Sequence, residues 1–331
     1  MAKETAQIEV QGRRLALSNL DKILYPAAEF TKRQVLDYYV RVAPFLIPHL
    51  AGRPLTMKRY PDGVDGEFFY EKNAPKHRPD WLKTAPIYSR HNRRTIDYIL
   101  ANDLPTLVWM ANLASLELHA SLSLAEDLAR PTMMVFDLDP GSPANVVQCA
   151  QVGLWLREVF EQFGLQSFPK TSGSKGLQIY MPLNTPVKYE ATKAFAHAMA
   201  RLLEERHPEL VVSEMKKNVR NGKVFIDWSQ NDEHKTTVSA YSLRARERPT
   251  VSTPVTWEEV EQVHRKKNAE MLVFEAAQVL ERCEKMGDLF APVVTLKQEL
   301  PQLTRVALKE EAVVDIAAQA APPKTKKKVR L

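Results

Sequence analysis

Cysteine is nearly absent from this chain of 331 residues, which contains only Cys149 and Cys283. Two cysteines are too few for a disulfide framework or for a thiolate metal site. Long apolar runs are absent as well: no stretch approaches the roughly 18 apolar residues of a membrane helix, and the polar N-terminus lacks the apolar segment of a signal peptide. The remaining composition is ordinary for a globular protein, with 44% hydrophobic and 26% charged residues. We therefore expect a protein of the reducing cytoplasm with no membrane segment.

A strong positive excess is missing from the body of the chain, although the formal net charge is +6. Five of these charges lie within the last eight residues, at Lys324, Lys326, Lys327, Lys328 and Arg330. The rest of the chain keeps about +1, so local clusters have to supply any evidence for nucleic-acid binding. Beyond residue 310 the composition is rich in alanine, proline and lysine, which predicts a disordered tail.

Apolar periodicity and turn signals predict a mixture of strands and helices. The predicted strands are 7–12 and 15–17 as a hairpin, parts of 54–72, and 133–139, 166–170, 177–182, 224–228 and 236–242. The predicted helices run from the capping box at 31–34 to near Pro48, from about Leu104 to His119, from Ser142 to about Phe163, and over about 188–206. A second capping box at 256–259 opens a helical C-terminal region that extends to about 287. This order indicates an α+β or mixed α/β fold, not a doubly wound sheet. We expect one domain over residues 1–300 and a C-terminal extension over 301–331.

Two aspartates, Asp137 and Asp139, lie two residues apart in the predicted strand 133–139. Because side chains alternate along a strand, both carboxylates share one face, and Phe136 and Leu138 point into the core. Paired carboxylates can bind Mg²⁺ or Mn²⁺, although a lone D-x-D is more often a solvated strand end. Asp227 ends another apolar run, and the three aspartates together make a plausible two-metal site. Such sites also serve nucleases, so these residues alone do not select a reaction.

A glycine-rich turn, TSGSKG at residues 171–176, joins two predicted strands. Glycine permits the positive φ angles at which successive N–H groups converge on an anion, and Lys175 adds a positive charge. The segment lacks the P-loop pattern, and no helix follows it. Taken alone, it is more often a hairpin turn with a surface lysine.

Basic residues cluster in the sequence around Asp227. Arg244 and Arg246 alternate with apolar residues, so both are expected to leave the same face of one extended segment. Four more cations precede Asp227, at Lys216, Lys217, Arg220 and Lys223. A solvated surface is the usual explanation of such a cluster, but this one also suits a triphosphate and a template backbone.

Five segments together resemble the polymerase domain of bacterial DNA ligase D, the end-joining branch of the archaeo-eukaryotic primase superfamily. They are LSNLDKILYP at 17–26, VFDLDPG at 135–141, TSGSKGL at 171–177, VFIDWSQN at 224–231 and YSLRAR at 241–246. Since no ligase or nuclease module accompanies them, we expect a stand-alone paralogue of the actinobacterial primase-polymerase C type. The resemblance implies a primase-polymerase core with an RRM-like sheet, two divalent ions held by Asp137, Asp139 and Asp227, and a preference for ribonucleotides.

The resemblance also implies which residues bind the nucleotide. Positions that match contacts to the incoming nucleotide are Ser172, Lys175, Arg220, Gln230 and Arg244, and Arg246 is expected beside them. His119 matches a histidine on the triphosphate side, although a cap at the end of its predicted helix is otherwise the more common explanation. The chain departs from the family at Gln178, where the family pattern has histidine. Gln178 is expected to face the nucleotide as a neutral amide, since it shares a strand face with Tyr180 and lies opposite Leu177 and Ile179.

A second group of matches concerns DNA. Asn19, Lys22 and Lys32 match a pocket for the 5′-phosphate on the far side of a gap. Phe68 and Phe69 match an aromatic pair that stacks on DNA near the break, although such a pair is more often buried in a core.

Together these features predict a nucleotidyltransferase that extends a DNA 3′ end with Mn²⁺ or Mg²⁺ and nucleoside triphosphates, in short-gap filling or end joining. The expected DNA is gapped or broken and carries a 5′-phosphate, and the expected partners are an ATP-dependent DNA ligase and an end-binding protein. The protein is expected to be a nucleoid-associated monomer. Two alternatives stay open: a two-metal nuclease, which would release no pyrophosphate, and a non-catalytic DNA-end adaptor, which would show no metal-dependent primer extension.

Overall fold

The computed structural model describes residues 5–89 and 92–301, which are organised around two β-sheets with helices packed against them. The strands are β1 Thr5–Val10, β2 Arg13–Ser18, β3 Ile23–Tyr25, β4 Phe30–Thr31, β5 Leu55–Arg59, β6 Phe69–Glu71, β7 Thr84–Ser89, β8 Arg94–Ile99, β9 Ser115–Ala120, β10 Ser123–Leu124, β11 Asp127–Pro131, β12 Met133–Pro140, β13 Phe168–Thr171, β14 Leu177–Pro182, β15 Val211–Val212, β16 Val224–Asp227 and β17 Thr237–Val238. The α-helices are α1 Lys32–Leu50, α2 Leu104–Asn112, α3 Val146–Gln162, α4 Tyr189–Arg206, α5 Trp257–Lys266, α6 Ala276–Met286 and α7 Ala291–Thr295. The predicted mixture of helices and strands is confirmed. Apart from Pro301, the predicted C-terminal extension lies outside the described residues.

The five-stranded sheet has the strand order β13–β14–β12–β16–β15 and is antiparallel except for the pair β15–β16. Its central strand β12 directs Met134, Phe136 and Leu138 to one face, where they join residues of α3 and α4 in an apolar core. The opposite face carries Asp137 and Asp139. The alternation predicted for residues 133–139 is therefore confirmed.

The six-stranded sheet has the order β17–β9–β5–β8–β7, with β6 also paired to β5. Its apolar residues form a second core with α1 and α2. Tyr39 of α1 is fully buried there, donating a hydrogen bond to the Leu116 carbonyl (2.7 Å) and accepting one from the Leu243 N–H (3.2 Å). Helix α1 thus connects β9 to the segment that carries Arg244.

Helix boundaries agree with the sequence where a side chain caps the helix. Thr31 and Gln34 form the predicted capping box of α1, which continues through Pro48 to Leu50. Thr256 and Glu259 form the second predicted box, at the start of α5. None of the helices in the described ranges is long and apolar enough to span a membrane.

The predicted helix from Leu104 to His119 is wrong in its second half. Helix α2 ends at Asn112, and Ala114 has a left-handed φ of 56° that turns the chain into strand β9. The period-two alternation of Leu116 and Leu118 with Glu117 and His119 belongs to this strand, which pairs with β5. His119 is consequently a strand residue and does not cap a helix.

Two further boundaries differ from the prediction. Helix α3 begins at Val146 and not at Ser142, because Asn145 accepts a hydrogen bond from the Val147 N–H (2.8 Å) and Gln148 accepts one from the Asn145 N–H (2.9 Å). The predicted strand 236–242 is reduced to β17, because Tyr241 has a left-handed φ of 64°.

Candidate active site

Three aspartates meet on the polar face of the five-stranded sheet. In the register of this sheet Asp137 on β12 lies directly opposite Asp227 on β16, and Asp139 follows two residues later on the same face. Gln178 on β14 lies opposite Asp137 on the other side. The antiparallel pairing of β12 with both neighbours therefore assembles the predicted acidic centre.

Burial and mutual repulsion disfavour the negative charges of these aspartates, so a cation would stabilise them. The pKa of Asp137 is raised to about 7, chiefly by burial and then by repulsion from Asp139, while Gln178 and Lys170 act in the opposite direction. The pKa of Asp139 is also raised, by burial and then by the charge of Asp227. A divalent cation would relieve this repulsion, and carboxylate oxygens are the ligands that Mg²⁺ and Mn²⁺ prefer. The donor set thus fits the predicted ions.

Asp227 is turned towards its own loop. Its Oδ1 accepts hydrogen bonds from the Ser229 N–H (3.0 Å) and hydroxyl (2.5 Å), and its Oδ2 accepts one from Gln230 Nε2 (3.0 Å). As the side chains stand, no group of three His, Cys, Asp or Glu residues within the described ranges is arranged to hold an ion. Asp227 therefore has to leave Gln230 before all three aspartates can bind metal together.

The turn between β13 and β14 has the shape expected of a phosphate cradle. Ser172 Oγ accepts hydrogen bonds from the N–H groups of Ser174 (3.2 Å) and Gly176 (3.0 Å), so the hydroxyl occupies a position that an anion oxygen could take. Gly173 has a φ of +66°, and a Cβ there would lie 2.6 Å from the Val251 carbonyl group. Only glycine fits at this position.

A buried carboxylate, Glu117 on β9, organises the cationic wall beside the cradle. It contacts His119 Nε2 (2.9 Å), Arg244 Nε (3.3 Å) and Lys58 Nζ (3.9 Å), and it accepts a hydrogen bond from the Ala245 N–H (3.1 Å). The Arg244 guanidinium also donates to the Ser172 carbonyl. The sequence did not single out Glu117, although its alternation with Leu116 and Leu118 could have placed it on the face of His119.

These groups open into a cleft of about 450 Å³ between the two sheets. Eight predicted site residues line it: His119, Asp137, Asp139, Ser172, Lys175, Gln178, Gln230 and Arg244. The lining also includes residues that sequence reasoning missed, among them Tyr70, Lys72, Lys235 and Thr237. Lys235 donates to the Ser229 hydroxyl (2.6 Å), which in turn donates to Asp227. No motif marks these residues, because separate segments bring them together.

Three of the predicted metal and nucleotide residues lie outside the lining of this cleft. Asp227 is held by hydrogen bonds from Ser229 and Gln230. Arg220 lies over the ring of Phe225 (3.6 Å) and donates to the Met215 carbonyl (2.5 Å), and its charge partly offsets the rise in the pKa of Asp139. Arg246 is exposed, and its backbone N–H donates to the Arg244 carbonyl (3.0 Å), so the chain turns between these residues. The prediction that both arginines leave the same face of one extended segment is therefore wrong.

The predicted 5′-phosphate residues lie together at the start of α1. The Lys22 N–H donates to the Asn19 carbonyl (3.1 Å), and the Lys32 N–H donates to the Lys22 carbonyl (2.8 Å). The Lys22 ammonium pairs with Asp62 (2.6 Å), and the nearly buried Lys32 ammonium donates to the Ser18 carbonyl (2.7 Å). A helix N-terminus with two lysines favours an anion, which would compete with these partners.

The two predicted stacking residues are on the surface. Phe68 is 50% exposed and Phe69 is 43% exposed, so the alternative that this pair is buried in the core is wrong. Lys58 Nζ lies 4.0 Å from the Phe68 ring centre, and the Arg59 guanidinium lies 5.0 Å from that of Phe69. Tyr70, 58% exposed, continues this aromatic strip into the cleft.

A carboxylate centre and a cationic phosphate cradle in one cleft are the features expected of a metal-dependent nucleotidyltransferase. The sequence model of the family described as LigD, primase-polymerase domain, matches residues 31–290. The chain belongs to this family and is accordingly a nucleotidyltransferase.

Similar proteins agree with this assignment. The solved polymerase domain from Mycobacterium tuberculosis ligase D in complex with DNA has a TM-score of 0.79 and 38% identity, covering 86% of this chain and 99% of that one. The multifunctional non-homologous end joining protein LigD of Mycolicibacterium smegmatis is 41% identical over 282 residues, which are 85% of this chain and 36% of that protein. The bifunctional non-homologous end joining protein LigD of Bacillus subtilis is 32% identical over 289 residues, 87% and 45% respectively. The chain thus spans less than half of the length of these two relatives.

Proposed function

We propose that this protein extends the 3′ end of DNA at a short gap or a broken end, with ribonucleotides preferred. The carrying observation is that Asp137 and Asp139 share one cleft with Lys175 and Arg244, so that carboxylates for metal and cations for a triphosphate lie together. A nuclease has no need of cations arranged for pyrophosphate. The end-joining names of the relatives, and the DNA bound to one solved domain, support the DNA substrate.

Side chains of this protein bind the triphosphate and position the reacting groups. Lys175 and Arg244 bind and orient the triphosphate and stabilise the charge that develops on the leaving pyrophosphate. Glu117 holds Arg244 and His119 in position, and Gln230 becomes available to the nucleotide once its amide leaves Asp227. Asp137, Asp139 and Asp227 would hold Mn²⁺ or Mg²⁺, and the chemistry such an ion would supply is a lower pKa of the primer 3′-hydroxyl and neutralisation of the triphosphate charge.

The DNA beyond the primer is held by the surface around the cleft. Asn19, Lys22 and Lys32 bind the 5′-phosphate across the gap, while Phe68 and Phe69 stack on the bases. Filling such a gap leaves a nick, which is the substrate of a DNA ligase. An ATP-dependent ligase and an end-binding protein are therefore the proposed partners of a monomeric, nucleoid-associated enzyme.

Primer extension on gapped DNA tests the proposal. Wild-type protein with Mn²⁺ or Mg²⁺ should lengthen the primer, release one pyrophosphate for each nucleotide added, and favour ribonucleotides over deoxyribonucleotides in competition. Asp137→Ala and Asp139→Ala should abolish extension but retain DNA binding, because these carboxylates hold metal and not phosphate. Asp127→Ala, at an exposed position, is the matched control and should retain both activities. Primer shortening would identify a nuclease, and DNA binding without metal-dependent extension would identify an adaptor.

A further inference from the structure

Three consecutive aromatic residues, Phe68, Phe69 and Tyr70, are exposed beside the catalytic cleft, which Tyr70 also lines. Exposed aromatic rings next to cations suit the bases of nucleic acids, because every base has a flat face that can stack on a ring. An exposed side chain that becomes ordered only on binding loses rotamer freedom, and this loss weakens the complex. A group that already holds such a ring in place would therefore strengthen the binding of DNA.

Strand β5 provides such a group for Phe69. Arg59 lies directly opposite Phe69 in the antiparallel pair of β5 and β6, and side chains of directly opposed residues stand on the same face of a sheet. The Arg59 guanidinium lies over the Phe69 ring, 5.0 Å from its centre. This is within the roughly 6 Å over which a cation attracts the face of an aromatic ring. Arg59 thus holds the ring from one side, and 43% of Phe69 stays exposed.

The Arg59 guanidinium is itself fixed by two protein groups. Its Nε donates to the Leu113 carbonyl (2.9 Å), and its Nη1 donates to Glu71 Oε2 (2.7 Å). The planar guanidinium can make both bonds at once, which a lysine ammonium on its flexible stem cannot do in the same way. The Arg59 side chain is only 15% exposed. Arg59 would have to give up these bonds to reach a DNA phosphate, whereas the Phe69 ring is accessible as it stands.

We propose that Arg59 is a positioning residue, which holds the Phe69 ring so that the ring stacks on a DNA base at the gap or broken end. The inference rests on the proposed function only in taking gapped or broken DNA as the substrate. Lys58 lies over Phe68 in a similar way (4.0 Å), but it also contacts Glu117 (3.9 Å) and so acts on the triphosphate side as well. Arg59 is therefore the cation whose effect on a ring can be measured separately.

A double-mutant cycle on the full-length protein tests the proposal, by fluorescence anisotropy titrations with gapped DNA at several salt concentrations. Phe69→Ala should weaken DNA binding about tenfold, and Arg59→Met about three- to fivefold. Arg59→Met should weaken binding no further in the Phe69→Ala background, because Arg59 acts through the ring. The dependence of affinity on salt should be unchanged in Arg59→Met, whereas the loss of a direct phosphate contact would lower its slope by about 1.

Arg201→Met is the matched control, since Arg201 is an exposed arginine of α4 that also pairs with a glutamate, Glu205 (3.4 Å). It should retain wild-type affinity. If Arg59→Met does not fold by circular dichroism, Arg59→Lys replaces it in the same cycle. Lysine keeps the charge but cannot make both anchoring bonds, so the same loss of affinity is expected.

The proposal would be overturned by wild-type affinity in either single variant, or by losses that add in the double variant. Additive losses with a lower salt slope would identify Arg59 as a phosphate contact. A protein that shows the expected cycle but extends no primer would refute the proposed function and leave this inference standing. A protein that extends primers although Arg59 and Phe69 act independently would refute the inference alone.

Discussion

Among single residues, Glu117 illustrates how burial and charge act together. Desolvation opposes its ionisation, yet the hydrogen bond to His119 and the charges of Arg244 and Lys58 prevail, and its pKa is lowered to about 2. The same desolvation lowers the pKa of His119, although Glu117 counteracts it. Glu117 is therefore the anion of this pair at neutral pH, and it anchors the arginine that faces the triphosphate.

Glu117→Gln should lower the free energy of unfolding at pH 7. The folded-state pKa of about 2 lies below the ordinary value of 4.5, so the ionised group contributes stability above that value and loses it as pH falls through about 2. From this shift the loss at pH 7 is on the order of 3 kcal/mol, and it should be clearly smaller at pH 3. Denaturant unfolding at both pH values measures it.

Glu126→Gln is the control for Glu117→Gln, since Glu126 is exposed and the exchange should change stability little at either pH. An equal loss at pH 7 and pH 3 in Glu117→Gln would show that packing, and not charge, is responsible.

At the scale of elements, two residues are candidates for the N-cap of α3: Ser142, which the sequence predicted, and Asn145, which the structure shows. The dipeptide Ser142-Pro143 suits a helix start by sequence, but the capping bonds are made by Asn145. Asn145→Ala should cost about 1 kcal/mol of stability through the lost cap, whereas Ser142→Ala should cost almost nothing. Thermal melts of the two variants compare them directly, and the opposite ranking would restore Ser142 as the cap.

The start of α1 carries the prediction about gap recognition. Lys22→Ala combined with Lys32→Ala should erase any preference for a gap with a 5′-phosphate over one with a hydroxyl. Each charge-assisted bond is worth roughly 1.5–3 kcal/mol, or about tenfold or more in affinity. Binding titrations on paired DNA substrates measure this preference.

Arg33→Ala provides the matched control on the same helical turn, because Arg33 is exposed and pairs with Asp21 (2.9 Å). Because Lys32 is nearly buried, Lys22→Ala alone is the variant to use if the pair destabilises the fold. A phosphate preference that survives in the folded lysine variant would place the pocket elsewhere.

At the scale of the whole molecule, the last described segment joins both cores. Asp288 contacts His49 of α1 (2.9 Å) and accepts a hydrogen bond from the Tyr241 hydroxyl (2.6 Å). Gln298 exchanges hydrogen bonds with Gln166, accepting from its N–H (2.7 Å) and donating to its carbonyl (3.0 Å). Residues 288–298 therefore belong to the folded unit.

Two truncations should separate this segment from the rest of the C-terminus. A chain ending at Pro301 should keep the wild-type melting temperature, and its DNA binding should depend less steeply on salt, because seven cations are removed, five of them within the last eight residues. A chain ending at Gly287 should melt at a lower temperature, since it loses the buried Phe290 and Val293. Equal melting temperatures for the two truncations would contradict this view of the segment.

The sequence by itself determined the features that depend on local spacing. The alternation along β12 placed Asp137 and Asp139 on one face and Phe136 in the core, because strand side chains have a period of two. The capping boxes of α1 and α5 follow in the same way from bonds between residues three apart. The motifs and their order were also sufficient to indicate the family, which the comparisons confirm. The division into a domain over 1–300 and an extension stays a prediction.

Only the tertiary structure decided which groups meet across the chain. The left-handed turn at Ala114 ended α2 and moved Glu117 and His119 into a sheet, where long-range pairing outweighs local helical spacing. The register of β12 with β14 and β16 set Gln178 and Asp227 on either side of Asp137, and it left Lys170 buried against the amide. Such contacts join residues far apart in sequence, and their energy comes from burial and charge that arise only once both sheets are packed. No local pattern could therefore have assigned a role to Glu117.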